Sequence, residues 1–218
     1  MPRPSSPSRF VLPPQLWRLR PLQLATIDLL DWLFPWVAVN LLWLLASLTL
    51  VLLPPATAAL FDLAQAAYRN QRPTPRRFLA GLRRWFGLSW RWAAPNGLLL
   101  GGLFLLGRAV APAEIPLALV GVLAAAVVLG QFFFWPYMVL QDEPKLLRAL
   151  RNSVFTALGD LPYFALYLAI TFFILIPSVV VIAPLLLITP VLLSLLTTYG
   201  LAAWLERQGL LTGETRDV

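Results

Sequence analysis

The sequence predicts an all-α, polytopic membrane protein with six transmembrane helices in three hairpins. Three observations predict it. Hydrophobic residues make up 59% of the 218-residue chain, mean hydropathy is +0.76 and only 12% of residues are charged, against about 25% in soluble domains. Apolar runs long enough to cross a bilayer, about 18 residues or more, recur along the chain. Seven of the 17 Lys+Arg lie between Arg69 and Arg91 with no acid among them, which marks that segment as cytoplasmic.

Taken in order, residues 1–14 are Pro/Ser/Arg-rich and read as a disordered cytoplasmic tail. Residues 15–31 mix Arg18, Arg20, Asp28 and Asp31 with Leu and Trp, an interfacial composition. The first span runs over 32–53, with Asn40 as its only strongly polar side chain. The second, 55–70, contains Asp62 and Gln65. At 1.5 Å per residue it reaches about 24 Å, short of a hydrocarbon core of about 30 Å, so it crosses only with local thinning or shielding. An A-x-A signal-peptide reading of Ala56-Thr57-Ala58 fails, because the charged lead-in and the apolar run before it are both too long.

The loop 71–94 holds a basic amphipathic helix. Thr74 is placed to cap it and Pro75 to open it. At 100° per residue Arg76, Arg77, Arg83, Arg84 and Arg91 share a sector of about 120°, with Phe78, Leu79, Leu82, Trp85, Phe86 and Trp90 opposite, a pattern that lies in a membrane interface. The third span, 95–111, carries Gly97, Gly101, Gly102 and Gly107, including a small-xxx-small spacing suited to close helix packing. The fourth, 116–140, contains Gln131, Phe132-Phe133-Phe134-Trp135 and Pro136. The loop 141–160 reads as a short amphipathic helix begun by Asp142-Glu143-Pro144. The remaining apolar run is broken near Ala183-Pro184 into spans 161–182 and 184–205, followed by a cytoplasmic tail, 206–218.

Charge counting selects this topology. With six spans and both termini inside, 16 of the 17 basic residues are cytoplasmic and only Arg108 is outside. If 55–70 does not cross, five spans put the N-terminal arginines outside. The positive-inside rule favours six.

The absences also constrain function. With no Cys and no His, thiolate and Ser-His-Asp catalysis and His- or Cys-ligated metals are excluded. No cofactor motif is present, no nucleophile–base pair is evident, and the expectation is a protein that is not an enzyme. The net charge of +7 is accounted for by an anionic inner leaflet, and no nucleic-acid fold signature accompanies it.

The runs Asn40-Leu41-Leu42-Trp43-Leu44-Leu45, Ser47-Leu48 and Pro55-Ala56-Thr57-Ala58-Ala59-Leu60 resemble the YesL family of bacterial membrane proteins of unknown function. Phe78, Trp85 and Phe86 look like the spaced aromatics that follow in that family, and Gln131–Leu140 resembles its later Gln-aromatic-Pro span. Thr49 replaces the family's usual proline and Asp62 its usual aromatic. The resemblance implies an accessory role beside carbohydrate ABC transporter subunits and supplies no catalytic residues.

Two candidate surfaces remain. Asp62, with Asn40, Gln65 and Gln131, is a candidate intramembrane polar site, because an acid at the bilayer centre costs about 2.5–3.5 kcal/mol; a small carrier or channel would use it. The alternative is a protonated acid hydrogen-bonded between helices. The face made by Arg76, Arg77, Arg83, Arg84 and Arg91 meets lipid phosphates or a cytoplasmic partner.

Overall fold

The computed structural model describes residues 14–111, 114–181 and 188–211. Every regular element among them is helical: a 3-10 turn at Pro14–Leu19, then α1 (Arg20–Asp31), α2 (Leu33–Ser47), α3 (Leu53–Tyr68), α4 (Pro75–Val110), α5 (Glu114–Gly130), α6 (Phe134–Leu140), α7 (Leu146–Gly159), α8 (Leu161–Val181) and α9 (Thr189–Arg207). Three stretches are long and apolar enough to cross a membrane: Pro75–Val110, Pro116–Leu140 and Leu161–Val181. A fourth arises only if α1 and α2, bent by 92°, count as one span.

The helix ends follow local chemistry. Thr74 is extended, and its Oγ1 accepts from the Arg77 backbone N at 3.3 Å with Pro75 opening α4, as the sequence predicts. Helix α3 opens on Leu53-Pro54-Pro55, where the missing prolyl N–H costs nothing. It closes with Asn70 at φ 58°, and the Gln71 N–H bonds the Ala66 carbonyl at 2.9 Å, a left-handed stop that asparagine tolerates.

Helix α3 is the centre of the body. Eleven of its residues are buried, Ala56, Ala58, Ala59, Leu60, Leu63 and Ala64 among them. Alanines let neighbours approach closely: a Cβ added at Gly81 of α4 would lie 3.0 Å from the Ala59 Cβ. Against α3 pack α2, the first half of α4, α6 and α9. Trp43 Nε1 of α2 donates to Thr57 Oγ1 at 3.4 Å. Helix α4 runs antiparallel to α3, with Gly81 at Ala59 and, further along α4, Trp90 Nε1 donating to the Val51 carbonyl just before α3 begins. Helices α8 and α9 form a second antiparallel pair, joined by Ser178 to Thr189 at 2.7 Å and by Tyr163 OH donating to the Gly200 carbonyl at 2.7 Å.

Several expectations are corrected. The basic helix and the third span are one 36-residue helix, about 54 Å long. Pro95 does not break it. Its apolar face is divided: Phe78 and Trp85 are buried within the protein, in clusters that include α3 residues, while Leu79 and Phe86 are exposed. The first span is shorter than 32–53, because α2 ends at Ser47 and a turn follows. The expected stretch 116–140 stands as one long and apolar enough to cross, with a turn at 131–133 where the Phe134 N–H bonds the Gln131 carbonyl at 2.9 Å. Gly97, Gly101 and Gly102 face open space rather than a packed helix. The close helix contacts are made at Gly81 and Gly200 instead.

The expected amphipathic helix in 141–160 forms as α7. Pro177 lies inside α8 and Pro190 in the first turn of α9. The tail before Pro14, the turn at 112–113, the break at Ala183-Pro184 and the end beyond Leu211 lie outside the described residues.

Candidate functional site

The polar residues singled out from the sequence do not form one site. Asp62 Oδ1 stands 3.8 Å from Arg84 NH1, on the side of α3 that faces α4. One turn along, Gln65 is buried, and its Oε1 has no hydrogen-bond partner among the described residues. Asn40 is fully buried on α2.

Gln131 belongs to a different place. It accepts from Trp92 Nε1 at 2.8 Å and donates from Nε2 to Asn96 Oδ1 at 2.7 Å and to the Val127 carbonyl at 2.9 Å. Asn96 in turn donates to the Trp92 carbonyl at 2.9 Å. This satisfied network ties the end of α5 to α4 beside Pro95, where the arginine-bearing half of α4 gives way to its apolar half. A half-buried amide held by several partners fixes geometry.

Of the arginine face, Arg76, Arg83, Arg84 and Arg91 are exposed and Arg77 is half-buried beside Gln71. The sequence places this face correctly at the surface. What lies behind it is α3.

A concavity elsewhere has another lining. A cavity of about 630 Å³ is bounded by Trp17, Arg20, Pro21, Leu24, Tyr68, Tyr199, Ala203, Glu206 and Arg207, within the size range of small-molecule sites. Four elements build it: the 3-10 turn and α1 on one side, the ends of α3 and α9 on the other. Tyr68 OH donates to Glu206, and Tyr199 OH donates to the buried Asp28. The two phenol rings meet edge-on, with centroids 5.1 Å apart.

Arg207 lies over the Trp17 ring at 4.0 Å from its centroid, and Trp17 stacks on Tyr163 of α8 at 5.3 Å. Arg20 and Arg207 are exposed, and neither has an ion pair among the described residues. The carboxylate in the lining, Glu206, is thus held by Tyr68, which leaves the guanidinium groups without an acid partner there. Such a lining can bind and orient an anion.

No family model, no curated protein and no solved structure matches this chain. The site is therefore argued from its own residues.

The cavity was not legible in the sequence. Its members are spread over Trp17–Leu24, Tyr68 and Tyr199–Arg207, and contacts such as Tyr68 to Glu206 span 138 positions. The available signal was local. Trp17-Arg18-Leu19-Arg20 and Trp204-Leu205-Glu206-Arg207 are each a tryptophan beside charge, the composition of a membrane–water boundary, and two such boundary segments share one level.

Proposed function

We propose that this chain is a non-enzymatic accessory or scaffold protein of a bacterial cytoplasmic membrane, serving carbohydrate uptake beside an ABC transporter. The observation that carries the membrane role is apolar surface the chain leaves uncovered: Leu98 is 79% exposed, Phe104 66%, Val122 65%, Phe173 80% and Val180 76%. Contiguous apolar surface on this scale is matched to lipid or to another membrane protein. The carbohydrate link is supported by the YesL-like runs at 40–45 and 55–60. The alternative, a carrier built on Asp62, loses support because Arg84 already stands beside that acid.

The topology we infer has four crossings. The apolar half of α4 with α5 makes one hairpin; α8 makes the other with α9, which at 19 residues is less apolar than the three stretches above and is counted as a crossing because it runs back along α8. Six crossings would require α3 to span the bilayer. Its antiparallel partner along that length is the half of α4 that carries Arg76, Arg77, Arg83, Arg84 and Arg91. Central arginines cost about 2.5–3.5 kcal/mol each on insertion scales, so that pair belongs on the cytoplasmic side. Both termini are then cytoplasmic, and the positive-inside rule is kept.

Mild solubilisation of native membranes and affinity capture of the tagged chain test the role. Enrichment of carbohydrate-transporter permease or ATPase subunits over an unrelated tagged membrane protein is the expected result. Capture of the chain alone from cells expressing those subunits would count against it.

A further inference from the structure

We propose that the cavity between α1, α3 and α9 is a phosphate-binding site, with Arg20 and Arg207 as the ligating guanidinium groups and an anionic phospholipid headgroup as its occupant. Three observations converge on it. The first is electrostatic. The charged residues lining the cavity are Arg20, Arg207 and Glu206. Glu206 accepts from Tyr68, while neither arginine has an ion pair among the described residues. The cavity is net positive, and guanidinium groups match phosphate oxygens in planar, paired hydrogen bonds.

The second is preorganisation. Arg207 is held over Trp17 at 4.0 Å, and Trp17 is itself stacked on Tyr163. The Tyr68 and Tyr199 rings are buried and fixed by bonds to Glu206 and Asp28. A cation whose stem and face are already packed loses less freedom on binding. The rest of the wall, Pro21, Leu24 and Ala203, is apolar and suits the glycerol and upper acyl region of a lipid.

The third is level. Trp17 stacks on the first turn of α8, and Arg18 stands 3.9 Å from Asp160, which accepts from the Tyr163 N–H at 3.1 Å and so begins that helix. From there α8 runs 21 residues, about 31 Å, the thickness of a hydrocarbon core. The cavity therefore lies at the polar end of a full-length span, at headgroup height. This placement rests on the membrane reading above; the arginine pair does not.

The test uses the full chain in a maltoside detergent, with thermal unfolding as the readout. Dioleoylphosphatidylglycerol is titrated against dioleoylphosphatidylcholine, and inorganic phosphate against chloride at matched ionic strength. Phosphatidylglycerol is expected to raise the midpoint by about 3 °C or more, with phosphatidylcholine giving little shift. Arg20→Gln is expected to raise the lipid concentration for half the effect at least about tenfold. Arg207→Lys, which keeps the charge and the stem, is expected to weaken it less.

Arg148→Gln, an exposed charge on α7 outside the cavity lining, is expected to respond like wild type. If inorganic phosphate stabilises as well as the lipid does, and Arg20→Gln abolishes that, the phosphate site stands with a soluble phosphorylated occupant, and the headgroup assignment is withdrawn. No stabilisation of wild type by either anion overturns the proposal. So does an unchanged response in Arg20→Gln, or an equal loss in Arg148→Gln, which would mark diffuse surface charge.

Discussion

Gly200 lies against the ring of Tyr167, where an added Cβ would come within 2.9 Å of both Cδ1 and Cζ. Its own carbonyl accepts from Tyr163 OH at 2.7 Å. The α8–α9 pair is thus closed at one point by the absence of a side chain. Gly200→Val must push Tyr167 aside and is expected to destabilise the protein by about 1–3 kcal/mol, the usual cost of overpacking. The measurement is the unfolding midpoint in detergent, and an unchanged midpoint would mean that α8 and α9 do not meet there. The sequence contained this glycine but not its significance, because nothing local distinguishes it from Gly97 or Gly101. What is legible at this scale is what closes within one helical turn. Thr74 caps Arg77, three residues on, and spacing announces it. Asp62 is the opposite case. Its intramembrane reading rested on 55–70 crossing the bilayer, and its neighbour Arg84 lies on the next helix, where sequence spacing carries no information.

Helices α3 and α4 show what amphipathic pattern does and does not settle. Periodicity in 75–91 correctly divides arginines from aromatics, and the arginine face is at the surface. The same periodicity is silent on whether the other face meets lipid or protein, since both are apolar. The alanine richness of α3 was the available clue: a helix of small residues leaves room for a neighbour. Gly81 marks the contact, its absent Cβ 3.0 Å from Ala59. Gly81→Leu is therefore expected to lower the unfolding midpoint by several degrees, consistent with a loss of about 1–3 kcal/mol. Gly101→Leu, in open space on the same helix, is expected to leave it within about 1 °C or raise it slightly through helix propensity. The reverse order would restore the reading in which the 97–102 glycines are the packing face. A side-by-side melt of the two variants decides between them.

At the scale of the whole molecule, hydropathy identifies how much apolar length the chain has and leaves open how that length is paired. Leu161–Val181 and the apolar end of α4 are legible because their composition alone exceeds what a soluble core tolerates. Helix α3 is not: at 16 residues it is as consistent with a short span as with a buried core helix, and charge counting chose the span. Its antiparallel pairing with the arginine half of α4 makes the difference, because two helices bound along their length share one depth. The consequence is measurable in intact cells, since the chain has no native cysteine. Single cysteines at Ala111 and Ala183 are expected to react with an impermeant maleimide from outside. Cysteines at Val51, Ser8 and Thr212 are expected to react only after permeabilisation. Labelling of Val51→Cys in intact cells would show that the α2–α3 turn reaches the outer face. It would restore six crossings and oblige the arginines of α4 to lie beside a membrane-spanning helix, at a cost that only a water-filled cleft or a protein partner could offset. Silence at Ala111→Cys and Ala183→Cys in intact cells, with both reactive after permeabilisation, would remove both hairpins from the outer face. It would also remove the level on which the Arg20–Arg207 cavity meets the headgroups.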